Sequence, residues 1–192
     1  MASTVPEQSS SEQSRPSPPT HVLETCLYVR SMRDAVAFYR DILGLSPALE
    51  APRLSMFPIG TTSLILFQLG LTETDSRETS DVTGEQLTVP GHGPDKKIVD
   101  ILMDAPSNAS GSNKAETGDD GRLGVLSTSL RTHFCLAVPS RDEVREWESY
   151  LAAKNVKIRG VMEWKRGGRS VYFEDVDGHV GEIGSKGIWE HY

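Results

Sequence analysis

Two short segments of this chain, "ETCLYV" at 24–29 and "HFCLAV" at 133–138, repeat one another around residues that can do chemistry. Glu24 opens the first and His133 the second, with Cys26 and Cys135 two positions later. Carboxylates and imidazoles serve as acids, bases and metal ligands, and thiols become reactive when their surroundings lower the pKa. A Glu24 facing an apolar interior must find a cation or take up a proton; facing solvent, it is ordinary. His21, three residues before it, is its rival and lies on the opposite strand face if the strand is regular. Neither Cys has a base beside it in sequence, so both are expected to pack as small hydrophobes. A third cluster is "EWKRGGRS" at 163–170, where Lys165, Arg166 and Arg169 flank two Gly beside Trp164. It is either a solvated hairpin tip or a place where an Arg grips a carboxylate substrate. Arg169 and Tyr172 are the substrate contacts expected there, with Arg53 and Phe57 as counterparts in the first half.

The elements that position these residues can be read from the same repeat. Without gaps, Leu27 falls on Leu136, Val29 on Val138 and Ser31 on Ser140. Each short run alternates like a strand. Each is followed by a helix signalled by Ser-x-x-acid, Ser31 with Asp34 and Ser140 with Glu143, the spacing of a capping box. Apolar residues then recur at matching helical positions, Ala35, Phe38 and Ile42 against Val144, Trp147 and Leu151. Gly44 and Asn155 are the expected stops. Turn residues at Gly60-Thr61-Thr62, Gly167-Gly168 and Asp177-Gly178 divide the remainder of each half into short strands. The sequence therefore predicts an α+β fold of two tandem βαβββ modules, module one over 20–70 and module two over 130–188.

Composition frames the rest. Residues 1–19 are rich in Ser, Pro and Gln and are expected to be a disordered tail. Residues 71–129 form a low-complexity insertion, with one apolar patch at Ile98–Met103 that reads as a short helix. A net charge of −7 from 20 basic and 27 acidic residues argues against a broad nucleic-acid surface. Two Cys make no disulfide framework, and no apolar stretch approaches the ~20 residues that span a bilayer. The expectation is a cytoplasmic protein without nucleic-acid or membrane partners.

The segments "ETCLYVRSMRDAVAFYRDILGL", "HFCLAVPSRDEVREWESYLAAKNVKI" and "GGRSVYFEDVDGHVGEIGSKGIW" resemble the vicinal oxygen chelate family of glyoxalases, extradiol dioxygenases and bleomycin- and fosfomycin-resistance proteins. The resemblance implies that the two modules form a cupped, barrel-like mixed sheet around one divalent metal, with Fe, Mn, Zn and Mg not distinguished. It places the metal ligands at Glu24, His133 and Glu182, with Glu182 or Glu24 also able to act as the catalytic base. A glyoxalase-type fourth carboxylate would fall at Leu66 and is therefore missing. Three ligands leave open positions, closer to the facial triad of ring-cleaving dioxygenases, although Glu24 replaces one of their two His.

That resemblance implies a metal-dependent enzyme acting on a small oxygenated metabolite, foremost an extradiol-like dioxygenase. A glyoxalase-type lyase, a lactone-opening hydrolase and a metal-free binding protein are the alternatives, and a homodimer is expected from the family habit. His179, an odd number of residues from Glu182, is expected to point away from it. His92, in "PGHGP", is a loop residue or part of a lid, and His191 belongs to the tail.

Overall fold

The computed structural model describes residues 16–104 and 130–192. Of the predicted N-terminal tail, 1–15 lie outside the described residues, as do 105–129 of the insertion. Module one runs β1 (Glu24–Val29), α1 (Met32–Ala37), a π-helical turn (Phe38–Ile42), β2 (Leu49–Glu50), β3 (Leu54–Ile59) and β4 (Thr62–Gln68). Its strands lie in the order β1-β4-β3-β2, with β1 parallel to β4 and the other pairs antiparallel. The insertion contributes a hairpin, β5 (Ser76–Thr79) with β6 (Gln86–Val89), and α2 (Lys96–Asp104), which contains the expected Ile98–Met103 helix. Module two repeats the first topology with β7 (His133–Val138), α3 (Arg141–Ala153), β8 (Ile158–Glu163), β9 (Arg169–Glu174) and β10 (Val180–Ser185), in the order β7-β10-β9-β8. The fold is thus α+β with two separate four-stranded mixed sheets, and no closed barrel forms among the described residues.

The helix boundaries follow the capping chemistry. Ser31 Oγ accepts from the Asp34 N–H and Ser140 Oγ from the Glu143 N–H, each at 3.3 Å. Gly44 (φ 70°) and Asn155 (φ 58°) take the left-handed conformation that ends a helix. No residue pattern signals that α1 widens into a π turn, where the Leu43 N–H reaches back to the Phe38 carbonyl. That wider turn lets Phe38 and Tyr39, adjacent in sequence, both be buried.

One apolar core joins the modules on their helix-bearing sides. Tyr39 packs against Phe57 of its own sheet and Phe134 of the other, with ring centroids 5.9 and 6.1 Å apart. Phe38 meets Phe173, and Leu27, Leu66, Val171 and Ile183 belong to the same cluster. Truncating such a ring costs ~3–5 kcal/mol. Polar contacts tie the same seam. Tyr39 Oη donates to Asp175 Oδ2 at 2.8 Å, the Arg30 N–H donates to Asp177 Oδ1 at 2.9 Å, and buried His179 reaches the Tyr28 carbonyl through Nε2 at 2.9 Å. Because side chains alternate along a strand, Leu27 and Val29 in the core turn Glu24, Cys26 and Tyr28 to the opposite, open face. In module two, Phe134 in the core does the same for His133 and Cys135.

Candidate functional site

The chemistry gathers on the open face of module two. The register pairs Val180 with His133 and Glu182 with both Cys135 and Tyr172. His133 Nε2 stands 3.3 Å from Glu182 Oε2. The His133 side chain is about half exposed (54%), whereas that of Glu182 is nearly buried (7%). A buried carboxylate needs donors, and the fold supplies one in fully buried Ser170, whose hydroxyl donates to Glu182 Oε1. Ser170 Oγ in turn accepts from the Trp164 indole N–H at 2.8 Å. Burial first, and then the charge and hydrogen bonding of Glu182, push the Tyr172 phenol above its ordinary range. The same two influences push the Cys135 thiol up to about 12, which makes it inert as a nucleophile.

His133 Nδ1 lies 3.0 Å from the Val180 carbonyl oxygen, which can only accept, so Nδ1 carries the proton. In neutral His133 the Nε2 lone pair then points at a carboxylate oxygen. Two acceptors face each other, and a cation or a second proton must stand between them. Two donors ~2.1 Å from one ion, at a tetrahedral angle, stand ~3.4 Å apart, close to the separation seen. An imidazole oriented by a backbone carbonyl through its other nitrogen is the usual support of a metal-bound His. The pair therefore fits a divalent metal as two of its ligands.

The third expected ligand is not with them. Glu24 is exposed on β1, its backbone paired with Ser63, and its charge contributes, after burial, to raising the Cys26 pKa. Among the described residues no three of His, Cys, Asp and Glu come together to hold a metal. Glu24 belongs to the module-one sheet, whereas His133 and Glu182 belong to the module-two sheet.

Several other expectations change. The residue equivalent to Glu182 is Ile65, not Leu66: Glu182 pairs with Cys135, and Ile65 pairs with Cys26. Leu66 faces the core, since a one-residue slip flips a side chain across the sheet. The fourth carboxylate is missing either way. Arg169 is held between Glu148 of α3, at 2.6 Å, and Glu163 of β8, so both its charge and its fork are used within the fold. Arg53 lies at the Phe67 end of its sheet, because Leu54 pairs with Phe67, and away from Glu24. Phe57 is wholly buried in the core. Of the expected substrate contacts, only Tyr172 stands in the site, its ring 6.1 Å from that of His133.

His21 precedes β1, its Nδ1 2.9 Å from Thr20 Oγ1. His179 turns away from Glu182, as expected. His92 docks on the open face of module one: its Nδ1 lies 2.5 Å from Tyr28 Oη, and its ring meets Phe67 edge-on at 4.5 Å. Its backbone is pinned by the Thr72 carbonyl and hydroxyl, at 2.7 and 2.9 Å. Gly93 packs so closely that an added Cβ would come within 2.6 Å of the Tyr28 ring. The flanking Gly91 and Gly93 were the only hint in the sequence.

A model of the glyoxalase/bleomycin resistance protein/dioxygenase superfamily matches residues 20–183. The chain belongs to that superfamily. No curated protein sequence matches it. Among solved structures, it resembles lactoylglutathione lyase from Agrobacterium tumefaciens, with 24% identity over 91% of this chain and 99% of that one, and a TM-score of 0.62. A glyoxalase/bleomycin resistance protein/dioxygenase from Nocardioides stands at 19% identity, 89% and 85% coverage and a TM-score of 0.53. A glyoxalase-related enzyme from Fulvimarina pelagi gives 17%, 89%, 91% and 0.52 in the same order. These likenesses concern the fold. Which chemistry such a fold carries depends on the residues of its site.

Proposed function

We propose that this superfamily member is a divalent-metal-dependent enzyme acting on a small oxygenated metabolite. Within that class the reading favoured is ring cleavage of an aromatic diol, because Ile65 occupies the position of a fourth carboxylate and leaves coordination sites open. The observation that carries the proposal is the His133–Glu182 pair, two acceptors 3.3 Å apart with His133 Nδ1 committed to a carbonyl.

His133 and Glu182 are the ligands one chain provides, and Glu24 is the third. Since Glu24 does not join His133 and Glu182 within one chain among the described residues, it comes from a second copy, in a two-fold dimer that sets module one of one chain against module two of the other. The metal, when bound, supplies Lewis acidity toward two adjacent substrate oxygens. Ser170 holds Glu182 in orientation, and the elevated pKa of Tyr172 keeps its phenol protonated as a donor toward substrate. Glu24, exposed on its strand where Glu182 is nearly buried, is the carboxylate able to take a substrate proton.

The test measures metal content of purified wild-type protein, of Glu24→Ala, of His133→Ala, and of the two variants mixed under conditions of subunit exchange. A site shared across the dimer gives about one metal per wild-type chain and little in either variant. In the mixture it gives about a quarter of the wild-type content, because only one of two sites in each heterodimer is intact. Metal-loaded protein would then be assayed for oxygen uptake with catechols. No metal in the wild type, even after reconstitution, would leave the binding-protein reading; loaded protein that opens lactones or isomerises thiohemiacetals instead would replace ring cleavage.

A further inference from the structure

Beside the His133–Glu182 pair lies an open cleft of about 400 Å³, lined in part by Met162, Trp164, Lys165, Arg166 and Ile188. Two contacts connect it to the pair. The Trp164 indole donates to Ser170, which donates to Glu182. Ile188 folds over Gly184, where an added Cβ would come within 2.9 Å of Ile188 Cδ1 and 3.1 Å of Cys135 Sγ. A close approach of Gly168 to Gly187 and Ile188 brings the segment after β10 against the 164–168 turn. The small residues at 168, 184 and 187 therefore build the cleft.

Its charge is one-sided. The lining acid, Glu163, is engaged by Arg141 at 2.5 Å and by Arg169. Arg166 has only a solvent-exposed partner in Glu190, and Lys165 has no acidic partner among the described residues. An apolar body fits against Trp164, Met162 and Ile188, and an anionic head fits Lys165 and Arg166.

We propose that this cleft binds a small amphipathic carboxylic acid, its apolar part on Trp164 and Ile188 and its carboxylate on Lys165 and Arg166. The proposal goes beyond the metal reading and does not need it, because none of these residues is a metal ligand.

The experiment is calorimetric titration of the full-length protein with 2-naphthoate and with uncharged 2-naphthalenemethanol, each with and without EDTA. The acid is expected to bind at least about fivefold more tightly than the alcohol, the worth of a charge-assisted contact of about 1 kcal/mol. EDTA is expected to change nothing. Lys165→Gln or Arg166→Gln, both exposed and harmless to folding, should reduce that preference, and the double variant should abolish it. Ile188→Ala should weaken both ligands about tenfold through lost apolar contact. Equal binding of acid and alcohol, indifference to the charge variants, or acid binding that EDTA abolishes would overturn the proposal; the last would place the carboxylate on a metal instead.

Discussion

Replacing Ser170 with Ala removes one hydroxyl and leaves two groups without their partner. The Trp164 indole N–H loses its acceptor, and Glu182 Oε1 loses a donor at a fully buried position. An unsatisfied buried donor costs ~1–3 kcal/mol, and a hydrogen bond to a charged group is worth ~1.5–3 kcal/mol. Partial access to water through the open cleft offsets some of this, so the expected destabilisation is ~2–4 kcal/mol. For a chain of this size that lowers the melting temperature by roughly 5–15 °C.

The functional consequence is separable from the stability loss. Without Ser170, Glu182 is free to rotate away from His133, and loss of such a supporting bond weakens a metal ~10–100-fold. Thermal melts of chelated protein give the first effect, and competition with a metal-sensitive chelator at a temperature where both proteins are folded gives the second. Ser170→Thr keeps the hydroxyl and should restore affinity even if its extra methyl costs stability. An Ala variant that melts lower yet binds metal within about twofold of wild type would refute the argument, because Ser170 would then hold up the core without orienting Glu182.

Individual contacts yield further expectations. Gly93→Ala, with φ 99° and no room beside Tyr28, should free His92 from the sheet and raise hydrogen exchange at its amide; Gly84→Ala, also at positive φ but with open space around it, should cost only ~1 kcal/mol. With its thiol at about 12, Cys135 should alkylate at pH 8 roughly a thousandfold more slowly than an unperturbed Cys, and Glu182→Gln should speed it up. Burial first, and then the Asp175 charge, raise the Asp177 carboxyl, so the folded protein holds that proton more tightly than the unfolded chain. Its contribution to stability is then largest at low pH and declines as pH rises through the folded value. Urea midpoints of wild type relative to Asp177→Asn should therefore improve from pH 7 toward pH 4; a flat difference would mean that Arg30 offsets the burial.

The repeat carried most of the fold, because caps and strand alternation are local signals. Ser31 and Ser140 cap where the spacing says they should, and Gly44 and Asn155 end their helices. What failed was long-range. Arg169 looked free in its hairpin, but its partner Glu148 comes from the middle of α3. The Leu66 assignment slipped by one residue because "TSLILFQ" is apolar on both faces, so alternation could not set its register. One outward apolar residue there, Phe67, is covered by His92, which comes from the insertion and which the sequence offered as a loop residue or part of a lid. Burial on the open side of β4 is thus the work of a segment that sequence periodicity does not report.

The difference between the modules, position by position, bears on the proposal that one chain holds only part of a site. Where module two has His133, Ser170, Tyr172 and Glu182, the strand pairings place Glu24, Leu54, Met56 and Ile65 in module one. Only the first of these is an oxygen or nitrogen ligand suited to a divalent metal, and none of the others can orient a carboxylate. Where module one has Tyr28 and Phe67 beneath His92, module two has Ala137 and Gly184, the latter beneath Ile188. One open face therefore keeps the His133–Glu182 pair, supported by Ser170, and an adjoining cleft. The other keeps a single exposed acid and a filled end. On the proposed reading this division gives one face the ligand pair and leaves the other to complete the site, which is why the shared-site experiment, rather than metal content alone, is the one that tests it.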